Sequence, residues 1–122
     1  NTYNTIADTT ADTMPNNDYS FTIANTHPCF AGHFPDNPVV PGAVVLEQVI
    51  LKWDIFSKHK ILSIDFAKFM QPVLADISCF VCFNPVKARH SAKMEFVVKT
   101  LATSVAERGK EIILCKGRLV HD

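Results

Sequence analysis

Between residues 33 and 47 stand a histidine, His33, a glycine that follows a proline, Pro41-Gly42, and a carboxylate, Glu47. Histidine is the side chain best suited to moving a proton near neutral pH, and a carboxyl group with apolar neighbours keeps its proton long enough to act as an acid. A glycine at a helix start offers backbone N–H groups that no side chain screens. Those groups sit at the positive end of the helix macrodipole and favour an oxygen that is gaining negative charge. Base, acid and donor together are the parts needed to abstract a proton next to a carbonyl.

The surrounding residues say how such parts would be held. Pro35, Pro38 and Pro41 with Gly42 forbid a regular element before Pro41, because proline lacks the N–H that a ladder or helix interior requires. Pro41 suits the first helical position, and the apolar run Val44, Val45, Leu46, Val49, Ile50, Leu51, Trp53, Ile55, Phe56 predicts a helix over residues 41–58. Its first free N–H groups belong to Gly42, Ala43 and Val44. The helix is apolar over much of its circumference, as expected of one enclosed by a sheet.

The alternation Tyr19, Phe21, Ile23 predicts a first strand over residues 19–25, and four more strands are expected over 61–70, 76–84, 92–101 and 111–120. Turn signals separate these four at Pro72, at Asn84-Pro85 and at Glu107-Arg108-Gly109-Lys110. One strand, one long helix and four consecutive strands make an α+β order, and a curved antiparallel sheet wrapped around one central helix is the economical arrangement.

A chain of 122 residues, 48% hydrophobic, is long enough for one cored domain and too short for two. Residues 19–122 are expected to form it, and residues 1–18, rich in Asn, Thr, Asp and Ala, a flexible lead-in. The chain carries twelve basic and twelve acidic residues. The lead-in holds Asp8, Asp12 and Asp18 without a Lys or Arg, so the remainder has a net charge of +3, a mild excess that suits an acidic partner. No basic start with an apolar stretch marks a secretory signal and no segment reaches the length of a membrane span, so a soluble, cytoplasmic protein is expected. Cys29, Cys79, Cys82 and Cys115 include one Cys-x-x-Cys pair without a second, on a strand where the two side chains point to opposite faces, so free thiols are expected. No repeat, Gly-rich phosphate loop, metal-ligand cluster or aromatic-interleaved nucleic-acid surface is present.

The string Gly32-His33-Phe34-Pro35, then Pro38-Val39-Val40-Pro41-Gly42, then Leu46-Glu47, closely resembles the signature of the 3-hydroxyacyl-[acyl carrier protein] dehydratases of the FabZ and FabA group. A second stretch, Ile64-Asp65-Phe66-Ala67-Lys68-Phe69-Met70-Gln71-Pro72-Val73, looks like that family's pattern of an aromatic after a basic residue and a proline leading into the next strand. The resemblance covers roughly residues 20–120 and implies the hotdog fold. It implies that His33 removes the C2 proton of a 3-hydroxyacyl thioester, that Glu47 assists departure of the C3 hydroxyl as water, and that the Gly42 N–H binds the thioester carbonyl. Phe34, Val40 and Pro41 would line the substrate site. It implies no metal or redox cofactor, a substrate arriving on the phosphopantetheine of acyl carrier protein, and a homodimer or higher oligomer, with a related hotdog subunit as another partner, whose sites combine side chains of two subunits.

Leu51 stands where the housekeeping enzymes carry a glutamine. The small hotdog dehydratases of arylpolyene pigment synthesis, the ApeI-like branch, resemble the chain at least as well, and Glu47, where the isomerising FabA branch has aspartate, argues against isomerase activity. Blander roles compete at single positions. His33 taken alone suits a loop residue capping a carbonyl, and Glu47 shares a helical stripe with Asp54 and Lys58 that a solvated face would also produce. The apolar neighbours Ala43, Val44, Ile50 and Leu51 favour the acid role for Glu47. His27 reads as structural and His59, His90 and His121 as solvated, while Lys87, Arg89, His90 and Lys93 form a candidate surface for an acidic carrier protein. The rival functions are an acyl thioesterase of the same fold, disfavoured by His33 in its proline-rich setting, and a non-catalytic subunit that completes a partner's site, disfavoured by the presence of both His33 and Glu47.

Overall fold

A computed structural model describes residues 19–30, 39–86, 92–102 and 109–122. The elements follow the expected order: β1 (Ser20–Phe21), a 3-10 turn (Pro28–Phe30), α1 (Gly42–Phe56), β2 (Ile61–Phe69), β3 (Cys79–Pro85), β4 (Lys93–Leu101) and β5 (Glu111–His121). They build one five-stranded antiparallel sheet in the order β1-β3-β4-β5-β2. The lead-in 1–18, His33, Phe34, the Lys87, Arg89, His90 cluster and the Glu107-Arg108 half of the last turn lie outside the described residues.

The core forms where α1 packs with residues of the sheet. Val45, Val49 and Trp53, four residues apart, lie on one helical line and are buried with Phe96, Val98, Leu114, Cys115 and Leu119 of β4 and β5. Phe96 spans the sheet because Gly117 on the neighbouring strand has no side chain: a Cβ there would stand 2.5 Å from the ring's Cζ and strike the Phe66 carbonyl. Cys79 and Cys115 are buried and Cys82 points to the other face. All four cysteines are free, as expected, and burial pushes the Cys79 and Cys115 thiols up to about 11.

Several boundaries differ from the sequence reading. Strand β1 is two residues long, because its partner β3 begins at Cys79 and offers only Phe80 and Cys79 as partners to Ser20 and Phe21. Strand β2 is half-buried at every third position, Ile61, Ile64 and Ala67, because bulges at Leu62 and Asp65 each insert a residue into its ladder with β5. The helix is not enclosed by its own sheet. Opposite the buried line, Ile50, Leu51, Ile55 and Phe56 are 41 to 53% exposed. Exposed apolar side chains also stand on the open edge β2 and the segment after it: Leu62, Phe66, Phe69, Met70 and Leu74.

The C-terminal end of α1 is closed tightly. The Ser57 N–H donates to the Trp53 carbonyl, and the Trp53 indole Nε1 donates to the His59 carbonyl at 2.7 Å. Trp53 also meets the Phe83 ring edge-on at 5.3 Å. His121, expected to be solvated, instead lies 5.4 Å from the Trp53 ring and 5.2 Å from that of His59, whose Nδ1 is 3.2 Å from the Asp122 carboxylate.

Candidate functional site

The N-terminal end of α1 is built in the opposite way. Pro41 is extended, with φ −59° and ψ 145°, so it is the residue before the helix and not its first turn. It brings no side-chain cap, and its carbonyl accepts from the Val44 N–H at 3.0 Å and the Val45 N–H at 3.2 Å. The Val44 donor is therefore occupied, contrary to the sequence reading. The N–H groups of Gly42 and Ala43 find no acceptor among the described residues. Two free donors at the positive end of a fifteen-residue helix make a place for a developing oxyanion.

A cavity of about 450 Å³ opens at this end, lined by Val39, Val40, Pro41, Gly42, Phe69, Met70, Gln71, Pro72 and Val73. Val40 is buried, Pro41 is exposed, and both border the space. Two hydrogen-bonded links make the wall: Val39 forms an isolated antiparallel bridge with Leu74, and the Val40 N–H donates to the Val73 carbonyl at 2.7 Å.

The ring of Phe69 lies against Gly42. A Cβ at position 42 would meet the ring at 2.9 Å from Cζ and 3.1 Å from Cε2, so glycine is what lets the aromatic approach the helix start. Sequence reasoning did not place Phe69 in the site. The signal was the aromatic after Lys68 with Pro72 three residues on, whose register with the helix becomes visible only when β2 runs past the N-terminus of α1.

Glu47 is exposed, five residues inside the helix from Gly42. The apolar enclosure expected around it is not made by the described residues. Its neighbours on the same face, one turn on, are Ile50 and Leu51, which are themselves exposed, so a carboxylate stands within an uncovered apolar surface. His33 and Phe34 lie outside the described residues, so the structure brings together Gly42, Val40 and Pro41 and places Glu47 on the outward face. Of the candidate carrier surface, Lys93 is described and lies 3.2 Å from the Asp65 carboxylate. No described helix is long and apolar enough to cross a membrane.

Comparison with known proteins adds an independent line. The model of the ApeI-like family, described as ApeI dehydratase, matches residues 9–110. The chain is 32% identical over 93 residues to a 3-hydroxyacyl-[acyl-carrier-protein] dehydratase FabZ of Ehrlichia chaffeensis, covering 70% of this chain and 65% of that protein. It is 27% identical over 108 residues to the FabZ of Histophilus somni, covering 80% and 66%. The chain thus spans just under two thirds of the length of these relatives. Among solved structures it is similar to the Dehydratase Heterocomplex ApeI:P from Xenorhabdus doucetiae, with a TM-score of 0.59, 18% identity and coverage of 84% and 82%. An uncharacterized protein from Erwinia carotovora subsp. atroseptica gives a TM-score of 0.63 at 20% identity, with coverage of 84% and 79%. These likenesses establish the hotdog fold.

Proposed function

This chain belongs to the ApeI-like family, and on that premise we propose that it dehydrates a 3-hydroxyacyl thioester to the trans-2-enoyl thioester, with the acyl group delivered on the phosphopantetheine of acyl carrier protein. The product serves fatty acid or arylpolyene synthesis. The observation that carries the proposal is the open helix start: two N–H groups without an acceptor among the described residues, beside an apolar cavity, with Glu47 on the same helix.

The roles follow from the chemistry. The C2 proton is weakly acidic until the thioester carbonyl is polarised, and the Gly42 N–H supplies that polarisation by holding the oxygen as it becomes enolate-like. His33 takes the C2 proton. The C3–O bond then breaks, the electron pair of the C2–H bond forms the new double bond, and the Glu47 carboxyl protonates the departing hydroxyl as water. Acid or base catalysis contributes on the order of 10² to 10⁴ for each group. The apolar cavity wall takes the acyl chain, and this route uses acid, base and backbone donor without a metal or redox cofactor.

A second chain completes the site in this proposal. Glu47 is exposed among Ile50 and Leu51, and the unpaired edge of β2 carries the exposed Leu62, Phe66 and Phe69. Covering that surface with another hotdog chain removes water from Glu47 and holds its proton in place. A second copy of this chain is the partner proposed first. The structural likeness to a dehydratase heterocomplex supports a related hotdog subunit as the other reading.

The test is to incubate the protein with a 3-hydroxyacyl acyl carrier protein thioester and with its trans-2-enoyl counterpart, following the mass of the acyl group. Loss or gain of one water, abolished by His33→Ala and by Glu47→Gln in folded protein, supports the dehydratase. Release of free acid instead points to a thioesterase.

A further inference from the structure

We propose that Phe69 confines the dehydration described above, on which this inference rests, to acyl groups that carry no branch at C2. Its ring, backed by Gly42, fills the space that a methyl group at C2 would need.

The place of the thioester follows from its carbonyl. An oxygen accepting from the Gly42 N–H lies about 2.9 Å from that nitrogen, which brings the carbonyl carbon and its two substituents, sulfur and C2, to the helix start. The cavity that receives the acyl chain opens there between residues 39–42 and 69–73. C2 is the first acyl carbon to enter it, and the Phe69 ring lies against Gly42 on the wall it meets.

That ring has no room to retreat. A carbon one bond out from the Gly42 Cα would stand 2.9 Å from Cζ, 3.1 Å from Cε2 and 3.5 Å from Cε1. Carbon atoms rest about 3.5 to 4.0 Å apart, so a ring pressed from the cavity side meets the glycine behind it. The backbone is fixed on both sides of the ring as well. Phe69 pairs with Cys115 in the ladder between β2 and β5, and the Leu114 carbonyl accepts from the Met70 N–H at 2.7 Å and from the Gln71 N–H at 3.2 Å. The ring can leave only by turning outward, which removes part of the apolar wall.

A linear chain carries two hydrogens at C2: one is removed as the proton and the other stays on the carbon beside the ring. A methyl group in place of the second must turn the ring out or lift the carbonyl oxygen from the Gly42 N–H. Either loss falls on the transition state, in which that oxygen carries its charge. One surplus carbon in a fitted apolar site costs about 10- to 200-fold in specificity. The substrates assigned to this site are therefore acyl groups built with an unsubstituted two-carbon unit next to the thioester.

Phe69 is 45% exposed and stands outside the core cluster, so Phe69→Leu, which removes Cζ and both Cε atoms, leaves the core intact. The experiment measures kcat/KM of wild type and Phe69→Leu with acyl carrier protein thioesters of 3-hydroxyhexanoate and of both C2 epimers of 2-methyl-3-hydroxyhexanoate. The methyl group weakens the acidity of C2 equally in both proteins, so the ring is read from the change in preference. The preference of wild type for the linear substrate over the better epimer is expected to fall about tenfold or more in Phe69→Leu. An unchanged preference, or a wild type that takes linear and branched substrates equally, overturns the proposal. Hexanoyl- and 2-methylhexanoyl-pantetheine, which have no 3-hydroxyl to lose, are titrated against both proteins by calorimetry. Wild type should bind the linear compound more tightly and Phe69→Leu should bind the two alike. Equal binding by wild type, binding of neither compound, or discrimination retained in Phe69→Leu overturns the proposal. A wild type that dehydrates no thioester refutes the proposed function instead, and these affinities then decide the role of the ring by themselves.

Discussion

The two ends of the single helix are built on opposite plans. At the C-terminal end the Ser57 N–H, the Trp53 indole and the His59 carbonyl are joined by hydrogen bonds, and Trp53, Phe83 and His121 pack ring against ring. At the N-terminal end no side chain caps the helix, Gly42 leaves its backbone open, and an apolar cavity stands where a cap would be. A protein selected only for stability would finish both ends. The difference assigns stability to one end and ligand chemistry to the other, and substitutions at the two ends should therefore separate melting from activity.

The largest separation is expected from the proposed catalytic residue Glu47 against Trp53. Glu47→Gln should lower turnover by on the order of 10² to 10⁴ while leaving the melting temperature near wild type, because Glu47 is exposed. Trp53→Ala should do the reverse, costing about 3 to 5 kcal/mol in denaturant unfolding because it empties the centre of the core. Trp53→Phe keeps most of the volume and loses the bond to the His59 carbonyl, a cost of about 1 kcal/mol.

A smaller effect is expected at Gly42. The methyl of Gly42→Ala meets only the tip of the Phe69 ring, a half-exposed side chain that can swing aside, so stability should change by no more than about 1 kcal/mol. Activity should fall on the order of tenfold, because the displaced ring enters the space of the substrate. Steady-state rates and chemical melts on the same sample check both.

The pH dependence gives the smallest changes, on both flanks of neutrality. Burial raises the Cys79 and Cys115 thiols from 9.0 to about 11, which favours the neutral form in the fold. Their contribution is complete below about 9 and is lost as pH rises toward 11, where the unfolded thiols ionise first. Iodoacetamide at pH 8 should accordingly leave both unmodified in the folded protein. On the acid side the Lys60 backbone N–H, with help from His59, holds the Asp122 carboxyl below its ordinary 3.8. That contribution is present above 3.8 and is lost as pH falls through the lowered value, so Asp122→Asn should flatten the acid limb of a melting profile slightly.

Much of this molecule was legible in its sequence because local signals and tertiary demands agree. Turn signals bounded four of the strands to within a few residues, and the prolines before Gly42 placed the helix start within one residue. The misses have a common cause, which is that they depend on partners far along the chain or outside it. The length of β1 is set by where β3 begins, and the period of β2 by bulges against β5. The contact between Gly42 and Phe69, and the left-handed Asp76 that receives Asn25, join residues 27 and 51 positions apart. Ile50, Leu51 and Ile55 read as core because an apolar helix face looks the same whether its own sheet or another chain is to cover it.

That last point leads to the decisive measurement. His33→Ala and Glu47→Gln proteins, each inactive alone, would be unfolded together, refolded as a mixture and assayed for dehydration beside a sizing column run. If a second copy covers the outward helix face and lends its side chain to the site, the mixture regains about a quarter of wild-type activity at dimer size, since half the random pairs carry one intact site of two. A mixture that stays inactive, or a wild type that turns over as a monomer, contradicts a site completed by a second copy.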